Sequence, residues 1–162
     1  MPQPLAGRLN GEGGQMDALQ MLKEDHDKVK KLLSELDATT ERGVKTRSDL
    51  FAKVKQELQV HEAIEEEIFY PALKEHPKAK ELVLEAYEEH NVVDMVMQEI
   101  EGVPYENETW GAKLTVMKEN VEHHIEEEES EMFKQAKQVF SKEELDQLGD
   151  RMQARKQSLQ GM

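Results

Sequence analysis

Six histidines occur in this chain, and four of them, His26, His61, His90 and His124, interrupt apolar stripes at helical spacing. The first stripe is Leu19, Leu22, His26, Val29, Leu33, Leu36, and the second is Leu50, Val54, Leu58, His61, Glu65, Ile68, Ala72. The third is Val83, Ala86, His90, Val93, Met97, Ile100, and the fourth is Leu114, Met117, Val121, His124, Glu128, Met132. Steps of three and four residues keep each set on one side of a helix. Glu65 and Glu128 each follow a histidine by one turn on the same stripe. A carboxylate facing a core costs several kcal/mol unless a cation or a metal holds it. No lysine or arginine lies on the stripes near these breaks. Imidazole with carboxylate is a donor set for iron, zinc or copper. Four imidazoles and two carboxylates of two oxygens each offer more donor atoms than one tetrahedral zinc uses. They suit two metals of higher coordination number, with the remaining positions left to an oxygen bridge, water or an outside ligand.

Taken singly, these residues say little. A lone histidine on an apolar face is most often a satisfied core group. The acidic runs at 65–67 and 126–129 read as solvated faces, and Met97, Met117 and Met132 as core filler. His76 falls in a turn and His123 off its stripe. The joint placement carries the inference: one interior histidine per stripe, with the two interior acids one turn beyond two of them.

Positioning these side chains takes four long helices. Asp17 is the expected N-cap of a first helix running to about Leu36. After a turn at Gly43, Thr46 or Ser48 is expected to cap a second helix, which runs towards Leu73. Pro71 and the Glu75-His76-Pro77 break are expected to end it. A third helix follows Pro77 and stops near Gly102-Val103-Pro104, and a fourth, capped by Thr109, reaches about Val139. Ser141 and Glu144 form a capping-box pattern opening a shorter terminal helix. No alternating β-branched run and no Asn-Gly turn signals a hairpin. Long helices joined by short turns lie antiparallel. The expected fold class is therefore all-α, an up-down-up-down four-helix bundle with a short additional C-terminal helix. It would form one domain over residues 17–160, behind a Pro- and Gly-rich tail at 1–16 expected to be disordered.

Composition narrows the partners. Acids outnumber bases 35 to 21, for a net charge of −14, with 37% apolar and 35% charged residues. That balance argues against nucleic acid and anionic membrane surfaces, which are bound through clustered Lys and Arg. With no cysteine, disulfides, zinc fingers, thiolate-bound iron–sulfur clusters and thiol nucleophiles are excluded. No apolar run approaches the roughly 20 residues of a membrane span, and the first fifteen residues lack the apolar run of a signal peptide. The expectation is a cytoplasmic chain, a monomer or weak homo-oligomer, with no nucleic-acid or membrane partner.

The segments LKEDHDKV around His26, HEAIEEEIFYPAL around His61, EEHNVV around His90 and HHIEEEESEMF around His124 resemble the hemerythrin-like, HHE cation-binding family. The resemblance covers essentially residues 17–140 and fixes four segments in order. It implies a bundle holding two oxo- or hydroxo-bridged iron ions, ligated by His26, His61, Glu65, His90, His124 and Glu128, with both acids bridging. It implies a small-molecule ligand, dioxygen, peroxide or nitric oxide, and leaves carriage, iron or oxygen sensing and catalase-like peroxide removal side by side. Oxygen carriers of the family have a second histidine one turn after the third-helix ligand, where this chain has Asp94. Asp94 or water is then expected to complete one iron, which favours oxidised iron and peroxide chemistry over reversible dioxygen storage. Glu62 is acidic in some relatives that use it as a ligand, although its angle here is beside the stripe. Glu129 competes with Glu128, because carriers place that acid five residues after the histidine; the stripe favours Glu128.

Three rival readings fare worse. A ferritin-like di-iron site needs Glu-x-x-His, and no glutamate here lies three residues before a histidine. The run HEAIE has Glu65 where a His-Glu-x-x-His zinc protease requires its second histidine. A purely structural acidic bundle would be stabilised, with no loss of function, by replacing His61 or His124 with leucine.

Overall fold

A computed structural model describes residues 16–161. The expected tail therefore lies outside the described residues, Met16 apart. Helix α1 (Ala18–Asp37) opens with a reciprocal capping box, in which Gln20 N–H donates to Asp17 Oδ1 at 2.9 Å and Asp17 N–H to Gln20 Oε1 at 3.0 Å. Helix α2 (Val44–Ile64) begins earlier than expected, with Gly43 as its N-cap, so neither Thr46 nor Ser48 caps it. It runs through a π turn (Glu65–Phe69) into α3 (Tyr70–Lys74). Pro71 does not end this rod. It stands in the first turn of α3, just where the π turn has given up the i→i−4 bonding that a proline would otherwise break.

Helix α4 (Lys80–Glu101) is followed by α5 (Glu108–Glu127). Asn107, not Thr109, caps α5: its side chain accepts from Thr109 N–H at 2.8 Å, in keeping with the stronger capping of asparagine. A second π turn (Glu128–Met132) leads into α6 (Phe133–Val139). Ser141 and Glu144 form the expected capping box of α7 (Lys142–Gln160), which at 19 residues nearly equals α1 at 20 and is not a short appendage. No strand occurs among the described residues, and no helix among them is long and apolar enough to cross a membrane.

Helix α1 packs on α2 and α5, α4 packs on α5, and α7 lies across α1 and α2. The first, third and fourth stripes are buried along their whole length. The second departs twice. Phe51 is buried in place of Leu50, and beyond Glu65 the buried residues are Ile68, Phe69, Tyr70 and Leu73, with Ala72 partly exposed. The extra residue of the π turn rotates everything after it by about 100°. The core is consequently two apolar clusters, one around Leu22, Ile64, Phe69, Val83 and Met132, the other around Leu33, Val54, Val93, Met117 and Trp110. The four histidines and two glutamates form the polar layer between them.

Helix α7 lies tight against the start of α1 at Gly149. A Cβ there would stand 2.5 Å from Met16 O and 2.9 Å from the Asp17 carbonyl carbon, both backbone atoms. Gly149→Ala should therefore lower the thermal midpoint, costing about 1–3 kcal/mol for the overpacking although alanine is the better helix former. A midpoint equal to or above that of the parent would contradict this packing.

Candidate metal centre

Four helices each contribute one imidazole to the polar layer, and the Nε2 atoms all turn inward onto two carboxylates. His26 Nε2 lies 2.9 Å from Glu128 Oε1, and His124 Nε2 lies 3.4 Å from Glu128 Oε2. His61 Nε2 lies 3.2 Å from Glu65 Oε2, and His90 Nε2 lies 3.0 Å from Glu65 Oε1. Each glutamate thus gives one oxygen to the His26/His61 half and the other to the His90/His124 half. All six side chains are buried, Glu65 completely. Both π turns begin at these glutamates, and in each the backbone N–H five residues on, of Tyr70 or Phe133, donates to the glutamate's carbonyl. Such turns are rare and cluster at functional sites.

The two halves differ in what faces the converging atoms. In the first, His26 Nε2, His61 Nε2, Glu65 Oε2 and Glu128 Oε1 are buried and face only one another, His26 with Glu128 at 2.9 Å and His61 with Glu65 at 3.2 Å. Four donor atoms within 4.8 Å of one another and shut away from water need a proton or a metal ion shared among them. Donors about 2.1 Å from a metal and at right angles to one another are about 3.0 Å apart, so the 2.9 and 3.2 Å separations fit a shared cation. In the second half the fully buried Tyr70 hydroxyl lies beside the converging atoms, 2.5 Å from Glu128 Oε2, 3.1 Å from Glu65 Oε1, and 3.3 and 3.4 Å from Nε2 of His90 and His124.

The outward nitrogens are also held. His61 Nδ1 is 3.0 Å from Asp25 Oδ2, His90 Nδ1 is 2.6 Å from Glu66 Oε2, and His26 Nδ1 is 2.7 Å from Glu129 Oε2. His124 Nδ1 bonds Glu89 Oε1. These contacts close a ring: α1 supplies the acid behind the α2 histidine, α2 and its π turn the acid for α4, α4 for α5, and the second π turn returns one to α1. A carboxylate on Nδ1 fixes the tautomer that leaves the Nε2 lone pair for a metal and strengthens imidazole as a ligand.

Without a metal the layer holds protons where cations would stand. Burial works against a charged imidazole, yet the hydrogen bonds and charges of Glu65 and Glu66 raise His90 to about 9, and those of Glu128 and Glu89 raise His124 to about 10. Glu65 and Asp25 likewise override burial and lift His61 well above its ordinary value. Burial would push Glu128 up, but hydrogen bonding with Glu65, His124 and His26 takes it well below the usual carboxylate range. Burial, then the charges of Glu128 and Glu65, push the Tyr70 hydroxyl far up, so it stays a donor.

The further candidates separate. Glu129 stands behind His26, and it is Glu128 that faces the interior. Glu62 and Asp94 meet each other across α2 and α4, in a cleft of about 430 Å³ that Glu66 also lines. There burial, with Asp94 and Glu66, raises Glu62 to about 8 against the pull of His90. Neither residue joins the central six. Sequence reasoning missed Tyr70, Asp25, Glu66 and Glu89. The acids had a signal, since each adjoins a candidate ligand in sequence; Tyr70 had none, because only the π turn brings it inward.

Residues 17–136 match the family model described as Hemerythrin HHE cation binding domain. The uncharacterized Mycobacterium tuberculosis protein Rv2633c is 31% identical over 154 residues, spanning 90% of this chain and 89% of that protein. The Mycobacterium bovis protein Mb2666c is similar to the same extent, 31% over 154 residues. A crystal structure of a Hemerythrin HHE cation binding domain-containing protein of Mycobacterium kansasii, a Rv2633c homologue, aligns with a TM-score of 0.81 at 28% identity. That alignment covers 90% of this chain and 88% of the other.

Proposed function

We propose, starting from the fact that this chain belongs to the hemerythrin HHE cation-binding domain family, that its interior holds two iron ions and through them binds dioxygen or a related small ligand, peroxide or nitric oxide. The observation that carries this reading is the convergence of four buried donor atoms, on His26, His61, Glu65 and Glu128, within 4.8 Å of one another. His26 and His61 would hold one ion, His90 and His124 the other, with Glu65 and Glu128 bridging through the oxygens already turned to each half. When bound, the irons supply electron transfer and a coordination position for the small ligand.

The chain's own groups do the rest. Asp25, Glu66, Glu89 and Glu129 keep the imidazoles aligned, and the two apolar clusters keep bulk water out of the layer. A half-open pocket of about 20 Å³, lined by Glu85, Glu89, His124, Glu127 and Glu128, has room for about one water-sized molecule beside the layer. Tyr70 holds a proton on its hydroxyl between Glu65 and Glu128. A second reading is catalase-like peroxide removal, in which the buried Tyr70 hydroxyl would serve as a hydrogen-bond donor beside Glu65 and Glu128. The reading takes residues 17–160 as one up-down-up-down bundle, a monomer or weak homo-oligomer. It places the protein in the cytoplasm, where its net charge of −14 keeps it from nucleic acid and anionic membranes.

The test is to purify the chain from iron-supplemented cells, count metals and record visible absorption with and without azide. Two irons per chain and a band shifted by azide are expected. A chain without bound transition metal would overturn the reading, and peroxide consumption against reversible oxygen uptake separates turnover from carriage.

A further inference from the structure

The ring of carboxylates behind the four histidines has one member unlike the rest. The side chains of Glu66, Glu89 and Glu129 are 39%, 30% and 23% exposed, so water reaches their outer oxygens. That of Asp25 is 6% exposed, shut in beneath α7. Its Oδ2 faces His61 Nδ1 at 3.0 Å, and its Oδ1 accepts from Lys156 Nζ of α7 at 2.6 Å. No other acid of the ring has a lysine within hydrogen-bond reach; Lys23, 55% exposed, stands 4.0 Å from Glu129.

From this geometry we infer that Lys156 is a positioning residue for one of the two metals: through Asp25 it orients His61, so that α7 sets how firmly the His26/His61 half holds its ion. The inference rests on the two-metal reading above. A buried carboxylate needs partners for both oxygens. With Lys156 in place, Asp25 is pinned between two donors, and the His61 ring is fixed with Nε2 aimed at Glu65. Without it, one oxygen has no partner where water is scarce, and the carboxylate turns towards solvent and loosens its hold on His61. The His90/His124 half leans on Glu66 and Glu89, which owe nothing to α7, and should be unaffected.

The same helix carries a matched control one residue away. Arg155 donates to Glu67 Oε1 at 2.8 Å, an ion pair that also ties α7 to the first π turn but leads to no histidine. The experiment is an anaerobic calorimetric titration of full-length, metal-stripped protein with Co(II), followed also by visible absorption, for the parent, K156M, K156R and R155M. Two binding steps are expected in the parent. K156M should weaken one of them about tenfold, the lower end of what disturbing the support of a metal ligand costs. K156R should restore it to near the parent value, and R155M should leave both steps alone. Identical constants for K156M and the parent overturn the role of Lys156 while the two-metal reading stands. Equal weakening in K156M and R155M overturns it too, since that is what mere loss of helix packing would do. A parent that binds fewer than two cobalt ions sinks the two-metal reading and this inference with it.

Discussion

A chain with both Glu65→Gln and Glu128→Gln should lose its metal. Metal content after purification from iron-supplemented cells should fall from two ions per chain towards none, and affinity in titration by more than about a hundredfold, beyond what loss of a supporting residue alone costs. Glutamine keeps the shape of the side chain but has one acceptor oxygen and no charge. It cannot give one oxygen to the His26/His61 half and the other to the His90/His124 half, as both glutamates do here. Nor can it offset the positive charge of two cations in a layer shut off from water. Helical content by circular dichroism is the control, because the apolar clusters on either side are untouched. A double variant that retains two metals would show that the histidines alone make the site.

The second large effect concerns pH, and it runs in opposite directions with and without metal. His90 at about 9 and His124 at about 10 keep protons that unfolded histidines release near 6.5. Their contribution to stability is therefore whole below about pH 6.5 and is lost as the pH climbs through 9 to 10, by on the order of a few kcal/mol per histidine. Glu128, held well below its ordinary 4.5, contributes above that value and loses its contribution as the pH falls below it. The metal-stripped chain should melt highest between about pH 4.5 and 6.5 and progressively lower towards pH 9. Metal must displace the imidazole protons, so its affinity should rise over the same interval. Melting curves at about pH 6, 7.5 and 9, each with and without bound metal, check both halves of this statement. The gap between loaded and stripped midpoints should widen with pH. A stripped protein whose midpoint climbs towards pH 9 would mean that the carboxylates do not hold protons on these histidines.

Helical periodicity is local, and what depends on it was legible in the residues alone. The first, third and fourth stripes are buried residue for residue as their spacing predicts, Asp17 is the N-cap of α1, and the capping box at Ser141–Glu144 forms. The candidate ligands follow from the same logic, since a histidine or glutamate on an apolar stripe has nowhere to point but inward. Three other local features were misjudged. Asn107 and Gly43 begin helices that Thr109 and Thr46 or Ser48 were expected to cap, and Pro71 sits within a rod it was expected to end.

What only the tertiary structure decided is how the layer is completed. The acids behind His26, His61, His90 and His124 lie 103, 36, 24 and 35 residues away, each on a different helix from the histidine it supports. Spacing along one helix cannot disclose which neighbouring helix a side chain will reach. Asp25 adjoins His26 in sequence yet serves His61, because adjacent residues on a helix point about 100° apart. Tyr70 reaches the centre only because the π turn at Glu65 adds a residue to its helix. Lys156 meets Asp25 because α7 packs against α1, with Gly149 close on the backbone of residues 16–18. Which side chains face the core is written in the period of the chain; which of them meet is set by how separate helices pack, and a one-dimensional pattern carries no record of that.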